Sequence, residues 1–280
     1  MSSSRPFKVA GIIGWPVAQS RSPKLHGYWL ERYHIPGAYV PLPVEPGRLA
    51  EALKGLSALG MAGCNVTIPH KLAVLQLVDR VDPVANRIGA ANLLVVEADG
   101  SLSAFNKDGY GFIHSLRDAR PDWRADAGPA VVLGAGGGAR AVVVSLVLEG
   151  AREVRLINRS AARAEQLAAD AGGQVHLLPW ERRAEALDGA ALLVNATSLG
   201  MTGQPALDIA LDCLPKSALV SDIIYNPLET ALLAAARRRG NVAVNGLGML
   251  LHQARPAFEA WFGVLPEVTP ELRRTIEATI

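Results

Sequence analysis

The chain has 280 residues, of which 50% are hydrophobic and 19% are charged, and its formal net charge is +2. This length accommodates two domains of about 100 to 200 residues each, and the composition is ordinary for a globular α/β protein. The small net charge and the scattered basic residues argue against a nucleic-acid partner. Every apolar run is shorter than the roughly 18 residues of a membrane span.

The N-terminal part of the chain alternates short apolar runs with helical patterns, which predicts βαβ units and a mostly parallel sheet. The predicted strands are 9–13, 38–44 and 63–67, and the predicted helices are 23–32, 48–59 and 71–78. Apolar runs at 92–96 and 102–105, separated by a turn, predict a hairpin at the edge of this sheet.

Two serines, Ser20 and Ser22, follow the first predicted strand, at the end of a sheet where open α/β proteins bind ligands. Ser22 precedes Pro23, which is the pattern of a helix N-cap with proline at the first helical position. Capping does not account for Ser20, so ligand binding stays open beside capping.

Lys71 and Asp108 are candidates for proton transfer. The pattern predicts Lys71 in the first turn of a helix, a poor place for a cation, and this misfit suggests a function. A lysine that is partly shielded near a carboxylate is a proton donor and acceptor. Asp108 follows the 102–105 strand and is the natural partner. The alternatives are an exposed lysine without a role and an aspartate that caps a helix over 109–116.

A polar segment with proline and glycine, 120–129, marks a domain boundary. Beyond it, apolar runs alternate with helical patterns and predict a doubly wound sheet; the predicted strands are 130–133, 154–157, 174–178, 191–195, 219–224 and 241–244. Two final helical patterns, 249–261 and 270–278, are predicted to pack back on the first domain.

A glycine cluster follows the 130–133 run and precedes a helical segment, the order of a dinucleotide-binding fold. Gly134 would make the turn, while Gly136 and Gly137 would let backbone N–H groups approach a pyrophosphate. After the next strand, NAD enzymes carry a carboxylate for the ribose 2′-hydroxyl; here Asn158 and Arg159 follow it.

This chain has no carboxylate at that point, and it has two arginines, Arg159 and Arg163. Both features favour a 2′-phosphate and therefore NADP over NAD. The alternative is that both arginines are solvated helix residues behind an N-cap at Ser160.

Short motifs occur in a fixed order along nearly the whole chain; they are Ser20-Arg21-Ser22, Asn65-Val66-Thr67-Ile68-Pro69-His70-Lys71, Gly89-Ala90-Ala91-Asn92, Asn106-Lys107-Asp108-Gly109, 134–140, 158–163, Asn195-Ala196-Thr197-Ser198 and 246–253. With these motifs the chain resembles the shikimate dehydrogenase family. The resemblance implies a substrate-binding domain at 1–120 and 247–280 and an NADP-binding Rossmann domain at 121–246.

The resemblance also assigns site residues. It implies that Lys71 and Asp108 form the catalytic pair. The implied substrate contacts are Ser20 and Ser22 for a carboxylate, Thr67, Asn92 and Gln253 for hydroxyls, and Tyr225. The implied NADP contacts are Gly134, Gly136, Gly137 and Ala139 near the pyrophosphate, Asn158, Arg159 and Arg163 at the 2′-phosphate, and Thr197, Ser198, Gly246 and Met249 at the nicotinamide half.

Three residues depart from the family pattern. Lys107 and Leu93 stand where threonine is usual or frequent, and Asn245 stands where aspartate is usual. These changes bear on the identity of the substrate and on catalytic competence, and they leave the fold unchanged.

The resemblance implies an oxidoreductase that acts on a CH–OH group and reversibly reduces 3-dehydroshikimate to shikimate with NADP, on the route to chorismate and the aromatic amino acids. A relative that acts on quinate or an amino analogue, and a non-catalytic paralogue that binds shikimate or cofactor, are the alternatives. Cys64 and Cys213 lie in no metal or disulfide motif, which favours a reducing cytoplasm. Monomer and homodimer both stay open.

Overall fold

The structure is a computed structural model, and it describes residues 5–280. These residues form two compact units, the first running to Lys107 and resuming at Gln253–Thr279, the second spanning Asp108–His252. The domain limits predicted from the sequence, 120 and 246, stay a prediction about the functional domains.

The first unit contains a six-stranded mixed sheet with strand order β2-β1-β3-β5-β6-β4. Its elements are β1 (Lys8–Gly14), α1 (Ser22–Arg32), β2 (Gly37–Pro43), α2 (Leu49–Ala58), β3 (Gly63–Val66), β4 (Arg80–Val81), α3 (Pro83–Ile88), β5 (Leu93–Val96) and β6 (Leu102–Phe105). β1 runs parallel to β2 and β3, and β5 runs antiparallel to β3 and β6. The predicted strands and hairpin are confirmed, but the edge position is taken by the two-residue strand β4.

The helix predicted over 71–78 does not form. Lys71 lies in a turn, and only a 3₁₀ helix, Ala73–Gln76, follows it. In an α-helix the N–H of Leu75 would bond to the carbonyl of Lys71. That carbonyl instead accepts the N–H of Ala91 at 2.8 Å, and Leu75 bonds to a carbonyl one residue nearer at 3.3 Å. Lys71 therefore does not lie in the first turn of an α-helix, and the electrostatic misfit expected there does not arise.

The predicted N-cap at Ser22 is also wrong. The backbone is already helical at Arg21 (φ −85°, ψ −11°), so Arg21 occupies the N-cap position and Ser22 is the first residue of α1. The hydroxyl of Ser20 accepts the Ser22 N–H at 3.2 Å. Capping therefore does not employ the Ser22 hydroxyl.

The second unit contains a six-stranded parallel sheet with strand order β12-β11-β10-β7-β8-β9. Its elements are α4 (Asp108–Ala119), β7 (Ala130–Leu133), α5 (Gly137–Leu148), β8 (Val154–Ile157), α6 (Ala161–Ala171), β9 (Val175–Leu178), β10 (Leu192–Asn195), β11 (Leu219–Asp222), α7 (Ala231–Arg239) and β12 (Val242–Val244). This order is that of a doubly wound dinucleotide-binding sheet, with the switch point between β7 and β10. The predicted fold class is confirmed.

The chain ends with α8 (Gly246–Phe262) and α9 (Pro270–Glu277). The Trp261 indole on α8 is fully buried and donates to the Leu94 carbonyl at 3.0 Å. Trp29 on α1, also fully buried, donates to the Glu267 carbonyl at 3.1 Å. The tail therefore packs on the first unit, as predicted. Within residues 5–280, no helix is long and apolar enough to cross a membrane.

Candidate active site

The loop that carries Thr67 and Lys71 follows β3 and is held at several points. The Thr67 carbonyl accepts the His70 N–H at 2.9 Å, and Nε2 of His70 lies 2.7 Å from the Val44 carbonyl after β2. The contact between Ala91 and the Lys71 carbonyl fixes the far end of the loop. Lys71 itself is half-buried, and the bond that its carbonyl accepts fixes its backbone.

Gly14, at the end of β1, lets this loop approach closely. A Cβ at this position would lie 2.5 Å from Cγ2 of Thr67 and 3.3 Å from the Ile68 carbonyl. Only glycine leaves room for Thr67 in its present rotamer, because a methyl group needs about 3.5 Å or more from another carbon.

Asn92 and Gln253 are brought together although they are far apart in the sequence. Asn92 is buried, and its Nδ2 donates to Oε1 of Gln253 at 3.2 Å. Its Oδ1 accepts the backbone N–H of Lys107 at 2.8 Å. Asn92 therefore has a fixed orientation at the start of β5, on the edge of the sheet where β3 ends, because β5 runs antiparallel to β3.

The residues after β6 alternate between buried and half-buried positions. Asn106 is buried and donates from Nδ2 to the Ala90 carbonyl at 3.0 Å. Lys107 is half-buried, and its Nζ lies 5.3 Å from the ring centroid of Phe105. Asp108 is buried and is the first residue of α4.

Tyr39 and Asn65 form a buried pair to which sequence reasoning gave no role. The Tyr39 phenol donates to Oδ1 of Asn65 at 2.6 Å. Burial raises the pKa of the Tyr39 phenol well above its ordinary value, so it remains protonated. Ser22 is buried, and Ser20 is half-buried. The alternation of β2 could have indicated that Tyr39 is buried, but not its partners.

In the second unit, the glycine cluster forms the predicted strand, turn and helix. Gly134 has φ +111°, and a Cβ there would lie 2.7 Å from the Ala196 carbonyl. Gly136 and Gly137 are exposed, with no heavy atom within 4 Å of a Cβ built on either. The N-terminus of α5 is therefore accessible to an anion, and Ala139 lies buried behind it.

The turn after β8 presents its arginines to solvent. Nδ2 of Asn158 donates to the Ser160 carbonyl at 2.9 Å and shapes this turn. Ser160 occupies the N-cap position of α6 without a side-chain cap bond. Arg159 and Arg163 are both exposed. This exposure is compatible with both alternatives, a 2′-phosphate site and a solvated helix face.

Thr197 is held by a buried polar network at the end of β10. Oδ1 of Asn195 accepts both the N–H and the hydroxyl of Thr197, at 3.1 and 2.7 Å. Nδ2 of Asn195 donates to Asp222 at 3.1 Å, and the Thr230 hydroxyl donates to the same carboxylate at 2.8 Å. Burial raises the pKa of the Asp222 carboxyl above its ordinary value. Sequence reasoning missed Asp222. Ser198, a predicted cofactor contact that follows Thr197, is exposed.

The contacts of Asn245 explain why asparagine can replace the aspartate that is usual at this position. Its Oδ1 accepts the Leu247 N–H at 3.2 Å and so caps α8, as an aspartate would. Its Nδ2 donates to the Leu228 carbonyl at 3.2 Å, which a carboxylate cannot do. The change from Asp to Asn therefore preserves the helix start.

Gly246 places the start of α8 against the end of β11. A Cβ on Gly246 would lie 2.0 Å from the Ile223 carbonyl, so any larger residue would push the helix away. Tyr225 and Met249, the neighbouring candidate contacts, are half-buried.

Comparisons with known proteins agree with these features. Family models match in three places: the shikimate dehydrogenase substrate-binding domain at residues 12–94, shikimate/quinate 5-dehydrogenase at 123–202 and the shikimate 5′-dehydrogenase C-terminal domain at 246–270. A shikimate dehydrogenase (NADP(+)) of Paramagnetospirillum magneticum is 57% identical over 95% of this chain and 96% of its own. One of Rhodospirillum rubrum is 57% identical over 96% of both chains.

The chain belongs to the shikimate dehydrogenase family. Solved structures share its architecture. Shikimate 5-dehydrogenase of Thermus thermophilus, in complex with NADP(H) and shikimate, is 34% identical with a TM-score of 0.86. The match covers 98% of this chain and 100% of that chain. Quinate dehydrogenase of Corynebacterium glutamicum, in complex with NAD, is 30% identical with a TM-score of 0.90 at the same coverage. These similar structures are therefore named for different substrates and hold different cofactors.

Proposed function

We propose that this chain catalyses the reversible, NADP-dependent reduction of 3-dehydroshikimate to shikimate. One observation carries this proposal: Asn92 and Gln253 are joined by a hydrogen bond. They lie at the edge of the sheet where β3 ends and the Thr67–Lys71 loop begins. Polar side chains held at the end of a sheet suit a small polyhydroxylated ligand. The names of the close relatives support the same substrate.

Lys71 is the proposed proton donor for ketone reduction. Its Nζ would give a proton to the carbonyl oxygen as that oxygen becomes a hydroxyl, and would take it back in the reverse direction. Asp108 is proposed to orient this ammonium and the hydroxyl. Because the backbone of Lys71 is held by a hydrogen bond, its Nζ has a limited range of positions. This favours a defined geometry for proton transfer.

The second unit fits NADP. Gly136 and Gly137 leave space for a pyrophosphate at the start of α5, and Arg159 and Arg163 offer cations where an NAD enzyme has a carboxylate. Thr197, fixed by Asn195, is proposed to contact the nicotinamide half. When bound, NADP supplies or accepts the hydride.

A second candidate substrate is quinate, which shares the carboxylate and hydroxyl groups of shikimate. The similarity to a quinate dehydrogenase structure favours testing it. Incubation of the purified protein with NADP and either shikimate, quinate or an amino analogue, followed by product analysis, separates the candidates. Oxidation of shikimate at least about 10-fold faster than of the others supports the proposal, since a pocket discriminates by about that much against one added or missing group; faster turnover of quinate contradicts it.

Cytoplasmic location is part of the same proposal. Both cysteines are free, Cys64 buried and Cys213 exposed, and an exposed thiol is typical of proteins in a reducing compartment. Thiol titration of freshly lysed cells would show Cys213 reduced if the location is right.

A further inference from the structure

The turn after β10 carries Thr197 and lies against the glycine cluster. The N–H of Ala196 donates to the Leu133 carbonyl, at the end of β7, at 2.8 Å. A Cβ on Gly134 would lie 2.7 Å from the Ala196 carbonyl and 3.2 Å from Cγ2 of Thr197. β7 and β10 are the neighbouring strands at the switch point of the sheet, where doubly wound proteins bind dinucleotides. Thr197 therefore lies at the cofactor crevice of the second unit.

The side chain of Asn195 determines the shape of this turn. Its Oδ1 accepts both the N–H and the hydroxyl of Thr197, and its Nδ2 donates to the Leu199 carbonyl at 3.0 Å. The Thr197 hydroxyl accepts the Leu199 N–H at 3.0 Å. The opposite rotation of the Asn195 amide would turn its nitrogen toward the Thr197 N–H and its oxygen toward the Leu199 carbonyl, where neither can bond. The turn therefore requires one orientation of this amide.

Asp222 holds the amide in that orientation from the neighbouring strand. Asn195 and Asp222 are the last residues of β10 and β11, and they lie opposite each other in the parallel register. Nδ2 of Asn195 donates to Oδ1 of Asp222 at 3.1 Å. Because an ionised carboxylate only accepts hydrogen bonds, Asp222 attracts the nitrogen of the amide and repels its oxygen. This selects the orientation that Thr197 requires.

The carboxylate of Asp222 is buried and receives two further hydrogen bonds. They come from the Ile224 N–H at 3.1 Å and from the Thr230 hydroxyl at 2.8 Å. Asp222 has no exposed surface, and burial raises the pKa of its carboxyl above the ordinary value. An ionised group at this position therefore costs free energy that an apolar residue of similar volume would not. This cost favours a role in orienting the donors over a role in packing.

We propose that Asp222 is a positioning residue for the cofactor, which orients the Asn195 amide and thereby fixes Thr197 against the nicotinamide half of NADP. The inference rests on the proposed function, in which Thr197 contacts that half. The two halves of a doubly wound sheet bind the two halves of a dinucleotide. Arg159, the proposed 2′-phosphate contact, follows β8 in one half of the sheet, whereas β10 and β11 belong to the other half. Asp222 should therefore affect the nicotinamide half alone.

The test compares two ligands of the purified protein by titration calorimetry. One is NADP, and the other is 2′,5′-ADP, which keeps the 2′-phosphate and lacks the nicotinamide half. Asp222→Ala removes the acceptor for Asn195. We expect this variant to raise Kd for NADP about 3- to 10-fold, the effect of about one hydrogen bond, and to leave Kd for 2′,5′-ADP within about twofold of the parent value.

Asp222→Asn is the conservative variant. Its amide oxygen can still accept from Asn195 and from the Ile224 N–H, and its amide N–H can donate to the Thr230 hydroxyl. Because the bond that orients Asn195 is kept, Kd for NADP should stay within about twofold of the parent value.

Asn241→Ala is the matched control for lost stability. Asn241 is also buried in the second unit, and its Nδ2 donates to three backbone carbonyls, those of Pro215, Lys216 and Ala218. It precedes β12 and therefore lies at the opposite end of the sheet from the switch point. Its replacement should lower the melting temperature, as Asp222→Ala does, and leave both Kd values unchanged.

Asp222→Ser provides the same test if Asp222→Ala does not fold. A serine side chain is too short to reach Asn195, but its hydroxyl can accept the Ile224 N–H in a turn of the same kind. This variant should also weaken the binding of NADP and leave that of 2′,5′-ADP unchanged.

The outcomes separate the two proposals. If the parent protein binds both ligands and the Asp222→Ala or Asp222→Ser protein binds NADP as tightly as Asn241→Ala does, the positioning role alone is overturned. Equal weakening of NADP and 2′,5′-ADP does the same, as does a loss of NADP affinity in Asp222→Asn as large as in Asp222→Ala. A parent protein that does not bind NADP overturns the proposed function and this inference with it.

Discussion

Replacing Gly14 by alanine tests whether the placement of Thr67 matters for turnover. The added Cβ would lie 2.5 Å from Cγ2 of Thr67, about 1 Å closer than carbon atoms approach without repulsion. Rotation of Thr67 about χ1 would relieve the contact but would swing its hydroxyl away. Movement of the backbone would strain the bond from the Thr67 N–H to the Ile13 carbonyl, now 2.9 Å.

Either response displaces the Thr67 hydroxyl. We expect Gly14→Ala to lower kcat/KM for shikimate by up to about 100-fold, the scale for a misplacement of about 1 Å, and to destabilise the fold by about 1 to 3 kcal/mol through overpacking. KM for NADP should not change. Steady-state kinetics and thermal unfolding measure the two effects.

Gly55→Ala is the matched control. Gly55 lies inside α2, and no heavy atom stands within 4 Å of a Cβ built there. The helix should gain about 0.5 to 1 kcal/mol, and kcat/KM should stay at the parent value. If Gly14→Ala has a kcat/KM within about threefold of Gly55→Ala, the Thr67 hydroxyl does not contribute as proposed and the reasoning from its contact with Gly14 fails.

Three further variants test the chemistry. Lys71→Ala should keep the fold and lose about 10²- to 10⁴-fold in kcat, because water replaces the proton donor poorly; a kcat near the parent value removes Lys71 from the mechanism. Arg159→Ala should weaken NADP binding about 10- to 100-fold and leave NAD binding unchanged, whereas equal weakening of both indicates a structural role. Lys107→Thr should raise KM for shikimate modestly at low salt and less at high salt, with kcat unchanged; a large, salt-independent gain in kcat would show that Lys107 disturbs the catalytic pair.

The sequence predicted most of the fold because its signals are local. The glycine at 134 requires a positive φ, and the apolar runs on either side of the 134–137 cluster have the lengths of a buried strand and helix. The same holds for the end of α7, where Gly240 has the left-handed conformation expected of a C-cap. Such features need no knowledge of distant partners.

The errors arise where a distant residue decides the local structure. The 71–78 segment has the composition of a helix, but Ala91 takes the Lys71 carbonyl that the helix would need. β4 forms because β6 lies beside it, and two residues carry no recognisable strand pattern. Tyr39 and Asp222 were missed for the same reason, since the role of each depends on side chains from other elements.

The most direct measurement is the oxidation of reduced nicotinamide by the purified protein on addition of 3-dehydroshikimate, run with NADPH and NADH side by side and with the product identified. We expect NADPH to be consumed in step with formation of shikimate, and kcat/KM with NADH to be at least about 10-fold lower, because the arginines after β8 lose their phosphate partner. Failure to consume NADPH, or equal activity with NADH, would contradict the account.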